Sequence, residues 1–186
     1  MMVPVFSATL VAAILPLVAT LPALSALTAY TIPPAAIKSA MEADSDCIFP
    51  VGFNITNFKV FTPAPGNNRS QILSFDFFDD STSISTSCAF NETSKNVAPF
   101  DFTPRYPCDD YRITFIWNNQ TQGLSMIEKV CPDVLTTPME ASGWVGTNDT
   151  LRCLETSQNN TYGPGLDCIS FNKYVAKYTS MQPTPW

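Results

Sequence analysis

Three carboxylates crowd one short stretch, Phe75-Asp76-Phe77-Phe78-Asp79-Asp80, and a second acidic pair stands at Asp109-Asp110. Two carboxylates held about 5 to 10 Å apart can cleave a glycosidic bond, one giving a proton while the other attacks or activates water. Neither cluster has the spacing of a calcium loop, so no metal site is expected. Both run into turn residues, where an aspartate usually caps backbone amides. The chain has no histidine at all. That removes the commonest general base, the commonest metal ligand and the middle member of most catalytic triads. The expectation is a protein with no catalytic residues and no cofactor, its aspartates holding turns.

The remaining reactive side chains are six cysteines, Cys47, Cys88, Cys108, Cys131, Cys153 and Cys168. No Cys-x-x-Cys pair occurs, so neither a zinc ribbon nor a thioredoxin-type motif is expected. An even count in an exported chain predicts three structural bridges. Export itself is read from the N-terminus, where no charged side chain precedes Lys38. Ala8 to Ala19 supplies an apolar h-region and Ala23-Leu24-Ser25 a small-x-small cleavage site, with cleavage after Ala26 or Ala29 also possible. No Lys or Arg precedes that h-region, a departure from the usual leader. Val3 to Leu27 is long enough for a membrane anchor, but Pro4, Pro16 and Pro22 interrupt it and no basic residue flanks it. The C-terminal segment from Lys173 to Trp186 is polar and offers no tail for a lipid anchor.

Six Asn-x-Ser/Thr sequons follow, at Asn54, Asn68, Asn91, Asn119, Asn148 and Asn159. An occupied sequon faces solvent, and most of these fall among turn residues. Net charge is −6 and only 14% of residues are charged. An acidic surface without a Lys/Arg cluster argues against nucleic acid and anionic membranes as partners. Attached sugar would supply the solvation that so few charges leave missing. Residues 1–26 are therefore expected to be a signal peptide, 27–46 a flexible segment, 47–178 the folded domain and 179–186 a tail.

The elements that must position these residues are short and period-two. Phe53 to Thr62 alternates Phe53 and Ile55 against Asn54 and Thr56, then shifts phase at Phe58 and Val60, predicting a bulge near Thr56-Asn57. A glycan on Asn54 would require that face to be wet. Gln71 to Phe78, Thr82 to Phe90, Tyr111 to Trp117 and Leu124 to Cys131 read as further strands. Gly143 to Cys153 and Leu166 to Tyr178 read as two hairpins. No helical periodicity and no long linker appear. The fold class is all-β, a single antiparallel β-barrel or β-sandwich domain stabilised by disulfides. Neighbouring strands pair Cys88 with Cys108, a loop worth roughly 3 kcal/mol in the chain-entropy account. Cys153 and Cys168 flank a turn-rich stretch, and elimination leaves Cys47 with Cys131. Trp144, Tyr162 and Trp186 are aromatics that could stack on sugar, whereas Trp117 fits a strand's buried face.

The cysteine order, with Ser74-Phe75-Asp76-Phe77-Phe78-Asp79-Asp80, Thr86-Ser87-Cys88 and Tyr106-Pro107-Cys108-Asp109, resembles the small secreted fungal proteins related to the major Alternaria allergen. The resemblance covers roughly residues 47–170. It implies a compact β-barrel, no catalysis and interaction with host molecules. The family's cysteines match Cys47, Cys88, Cys108, Cys153 and Cys168, and its first cysteine bridges two subunits. Cys131 is an addition that could capture Cys47 within the chain. The function expected is a secreted, N-glycosylated, non-enzymatic binding protein, effector- or allergen-like, whose partner is a host protein or a cell-wall glycan. The alternatives are a carbohydrate-binding module or a carboxylate-dependent glycosidase.

Overall fold

Eleven strands and no α-helix make up the described residues of the computed structural model, which are 47–185 apart from 134, 136, 137, 148 and 149. The expected leader and the flexible segment before Cys47 lie outside them. In chain order the strands are β1 Gly52–Pro63, β2 Ile72–Asp79, β3 Ile84–Phe90, β4 Tyr106–Pro107, β5 Ile113–Asn118 and β6 Gly123–Val130. They continue as β7 Met139–Gly146, β8 Leu151–Thr156, β9 Gly165–Ser170, β10 Tyr174–Lys177 and β11 Ser180–Pro183. All pairing is antiparallel, in two sheets that do not close on one another. The first has the order β3-β2-β1-β9-β8 and the second β11-β7-β6-β5-β4.

β1 organises the first sheet. Its register against β2 breaks between Thr56 and Lys59, where Asn57 sits at φ +53°. The bulge turns the strand so that Phe58 and Val60 join Phe53 and Ile55 on the buried side. It also divides the opposite edge of β1, which pairs with β10 before the bulge and with β9 after it. Leu166 to Tyr178 is thus no hairpin: β9 and β10 lie end to end along one strand. Gly143 to Cys153 is not one either, because β7 belongs to the second sheet and β8 to the first. Period-two patterning reports which face a residue occupies and is silent on which strand lies beside it. Residues 179–186, expected as a tail, contribute β11, which pairs with β7 and sets Met181 against Met139 and Ala141.

An aromatic layer fills the space between the sheets. Phe75 meets Phe115 edge-on at 5.1 Å, Phe58 lies 6.2 Å from Phe75 and 5.6 Å from Trp117, and Phe53 lies 5.8 Å from Phe77. Three disulfides join Cys88 to Cys108, Cys153 to Cys168 and Cys47 to Cys131, leaving no free cysteine among the described residues. The Cys88 bridge closes one seam between the sheets, where the Asp109 amide also donates to the Ser87 carbonyl at 2.9 Å. The pairing of Cys47 with Cys131 leaves neither sulfur for a link to a second subunit.

Truncating Phe115, which is wholly buried, should lower unfolding free energy by about 3 to 5 kcal/mol. Phe100→Ala, at a side chain 91% exposed, should change it by less than about 0.5 kcal/mol. Denaturant titration of the two variants with disulfides intact checks both values.

Candidate functional site

The acidic cluster of the sequence is dispersed by strand alternation. Asp76 and Asp79 are three residues apart on β2, and an odd separation sends their side chains to opposite faces of the sheet. Asp76 lies outside, where it accepts from Asn57 Nδ2 at 2.7 Å and Ser87 Oγ at 2.8 Å. Those two donors hold its carboxyl below the usual range. Asp79 points inward and is fully buried; its Oδ1 accepts from the Ser81 and Thr82 amides at 2.6 and 3.1 Å. Asp80, exposed in the turn, accepts from Asn54 Nδ2 at 2.9 Å. Asp110 binds the Arg112 guanidinium through both oxygens, and that pairing lowers its carboxyl. Asp109 remains exposed on the same turn. Asp76, Asp79, Asp80 and Asp110 each hold a turn or a neighbouring strand.

The pair that does meet is one the sequence reading missed. Glu128 of β6 is 1% exposed and directed into the core, since it alternates with Leu124, Met126 and Val130 on the inner face. Tyr178, between β10 and β11, donates its hydroxyl to Glu128 Oε2 at 2.7 Å. Burial raises the Glu128 carboxyl to about 7, with the nearby Asp79 carboxylate adding to the rise. Asp79 Oδ2 is buried with no donor beside it. Asp79 is near enough to contribute to the rise at Glu128, which brings β6 of the second sheet up to the end of β2 in the first. Arg112 and Lys129 stand with Glu128 around a shallow cleft of about 200 Å³ that Thr82, Ile84 and Asp133 also line. The inward parity of Glu128 within an otherwise apolar run was the available signal. An acid pair with one member near neutrality can do proton chemistry, but Asp79 is fully buried and Glu128 is 1% exposed, at the floor of that cleft.

The aromatics divide differently. Trp117 packs on Phe58 and donates Nε1 to Gln71 at 2.9 Å. Trp144 is half-exposed and lies so close over Gly123 that a Cβ there would fall 2.4 Å from the indole nitrogen. Tyr162 leans on Phe61 at 5.4 Å and borders two adjoining grooves, a polar one with Asn67, Asn68 and Gln158 and a mixed one with Arg69, Ile72, Asn91 and Glu92. Trp186 lies outside the described residues. The chain also holds a Ser-x-x-Lys spacing, Ser170 to Lys173; it is not helical, Ser170 Oγ accepts from the Asn172 amide, and Lys173 is exposed. Nucleophile and base are not assembled there.

Asn68, Asn119 and Asn159 are exposed and Asn91 half-exposed, while Asn148 lies outside the described residues. Asn54 departs from the expectation of a wet face. It is 6% exposed, wedged on the outer face between the rows of Phe78 and Val175, with its Nδ2 bound to Asp80. The outer neighbours on β2 and β10 are large and apolar and close over it.

Because the folded state keeps the Glu128 proton more tightly than the unfolded chain, the stability it contributes is complete below about pH 4.5 and lost as pH rises toward 7. The loss is at most on the order of 3 kcal/mol. Glu128→Gln, whose amide can donate to Asp79 at every pH, should flatten melting temperature across that window; an unchanged profile would show that another group sets it.

No protein-family model matches this chain, and no curated protein matches it in sequence. Among solved structures it is similar to a crystal structure of the Alternaria alternata allergen Alt a 1, with a TM-score of 0.50 and 12% identity, over 73% of this chain and 92% of that one. A second crystal structure of the same major allergen gives 0.47 and 13%, over 73% and 95%. At this identity the likeness is one of fold: two layers of antiparallel strands arranged as in Alt a 1.

Proposed function

We propose that the chain is a secreted, N-glycosylated protein that acts by binding, of the effector- or allergen-like kind, and performs no catalysis. The observation that carries this reading is the fate of its carboxylates. Asp76, Asp79, Asp80 and Asp110 all serve turns and strand contacts, and the side chains of Asp79 and Glu128 are almost wholly buried. The fold shared with the allergen Alt a 1 supports the same reading, as do three internal disulfides, which persist in oxidising compartments. The partner is a host protein or a cell-wall glycan. Nucleic acid is disfavoured by the net charge of −6.

A carbohydrate-binding role is the second reading, favoured by Tyr162, a half-exposed ring among amide side chains that suit hydroxyl groups. Retention of the secreted protein on chitin or glucan would favour it over a protein partner. For the leading reading, intact-mass analysis should find the chain shortened by its leader, lighter after deglycosylation and unreactive to thiol reagents until reduced. An intracellular protein with free thiols would refute it.

A further inference from the structure

Four sequons that the sequence scatters over some ninety residues come together at one end of the sandwich. Asn68 lies between β1 and β2, Asn91 just after β3, Asn119 between β5 and β6, and Asn159 between β8 and β9. These loops are tied to one another. Asn67 Nδ2 donates to the Tyr162 and Pro164 carbonyls at 2.9 and 2.8 Å, fastening the Asn68 loop to the Asn159 loop. Arg69 pairs with Glu92 beside Asn91 at 3.6 Å. Gln71 reaches the second sheet, donating to Asn119 Oδ1 at 2.9 Å and accepting from Trp117. The two grooves on either side of Tyr162 share Arg69, and Asn68 and Asn91 stand on their walls.

The acceptor atoms are available as well as clustered. Nδ2 of Asn68, Asn91, Asn119 and Asn159 makes no hydrogen bond to the described residues, in contrast with Asn54, whose Nδ2 is held by Asp80. At Asn91 the Thr93 amide and hydroxyl both bind Oδ1, at 2.8 and 2.7 Å, which leaves Nδ2 as the open end of the side chain.

We propose that this end of the sandwich is a carbohydrate-covered pole, with the chain's own N-glycans from Asn68, Asn91 and Asn159 lying over the Tyr162 grooves and that from Asn119 beside them. Each glycan joins when Nδ2 forms a bond to the anomeric carbon of a polyisoprenyl-pyrophosphate-linked oligosaccharide. The bond from that carbon to the phosphate oxygen breaks, the pyrophosphate leaves and an amide proton is released. Tyr162 offers a ring face, and Arg69, Gln158 and Thr161 offer polar groups, to sugars anchored on the groove walls at Asn68 and Asn91 and next to them at Asn159. The opposite end, where Ile48, Val51 and Tyr111 are exposed, carries no described sequon except the buried Asn54 and stays bare.

This rests on the reading of the chain as an exported glycoprotein, and the test separates the two. The full chain is secreted from a eukaryotic host and its glycopeptides are mapped after enzymatic release in heavy-oxygen water. Hydroxyl-radical footprinting then compares intact and deglycosylated protein, alongside a Ser70→Ala/Thr161→Ala variant that removes two sequons and keeps both asparagines. Sugar at Asn68, Asn91, Asn119 and Asn159, with Tyr162 oxidation rising severalfold on removal by either route and Tyr111 unchanged, is the result expected. Sugar confined to Asn54 or Asn148, or a Tyr162 rate that does not respond, overturns the covered pole while leaving a secreted glycoprotein. Complete absence of sugar overturns both.

Discussion

The rest of the molecule depends on the burial of one aromatic layer between two sheets that do not close. Phe53, Phe58, Phe75, Phe77 and Phe115 come from three strands and meet at ring separations between 5.1 and 6.2 Å. Buried aromatics carry large apolar area and prefer tilted or offset contacts, so the layer sets both the spacing of the sheets and their relative angle. The bulge at Asn57 exists to serve it: without the shift in register, Phe58 and Val60 would face solvent.

An open sandwich leaves seams, and the chain closes them with stronger links than packing. Cys88–Cys108 joins β3 to the segment entering β5, and Cys47–Cys131 fastens the start of the domain to the end of β6. Polar links complement them. Arg105 and Glu140 form a buried ion pair at 2.7 Å that pins the long connection after β3 across the second sheet to β7. Glu128 and Asp79 meet through the core. Breaking a buried pair leaves an uncompensated charge, so such contacts select one arrangement of strands even where their net contribution is small. Among the described residues four charged side chains are buried, Asp79, Arg105, Glu128 and Glu140, and each has a polar partner.

The distribution of polar groups also gives the two ends different chemistry. One end gathers open asparagine amides, planar side chains and a tyrosine face; the other exposes apolar side chains around the Cys47–Cys131 bridge.

What the residues alone determined was local. Alternation in Phe53 to Val60, Leu73 to Phe77 and Ile84 to Phe90 marks strands, their buried faces and the bulge, because inward and outward positions differ in kind along a single strand. Lack of histidine settled which catalytic arrangements could not be built. What only the tertiary structure decided was adjacency. Asp76 and Asp79 look like a pair in the chain and lie on opposite faces, whereas Asp79 and Glu128, about fifty residues apart, share the core. Asn54 reads as an exposed acceptor until β10 is seen to pair along β1 and cover it. Hairpins drawn from neighbouring segments failed for β7–β8 and β9–β10 because a strand's partner is chosen by burial across the whole sandwich, and no local pattern carries that information.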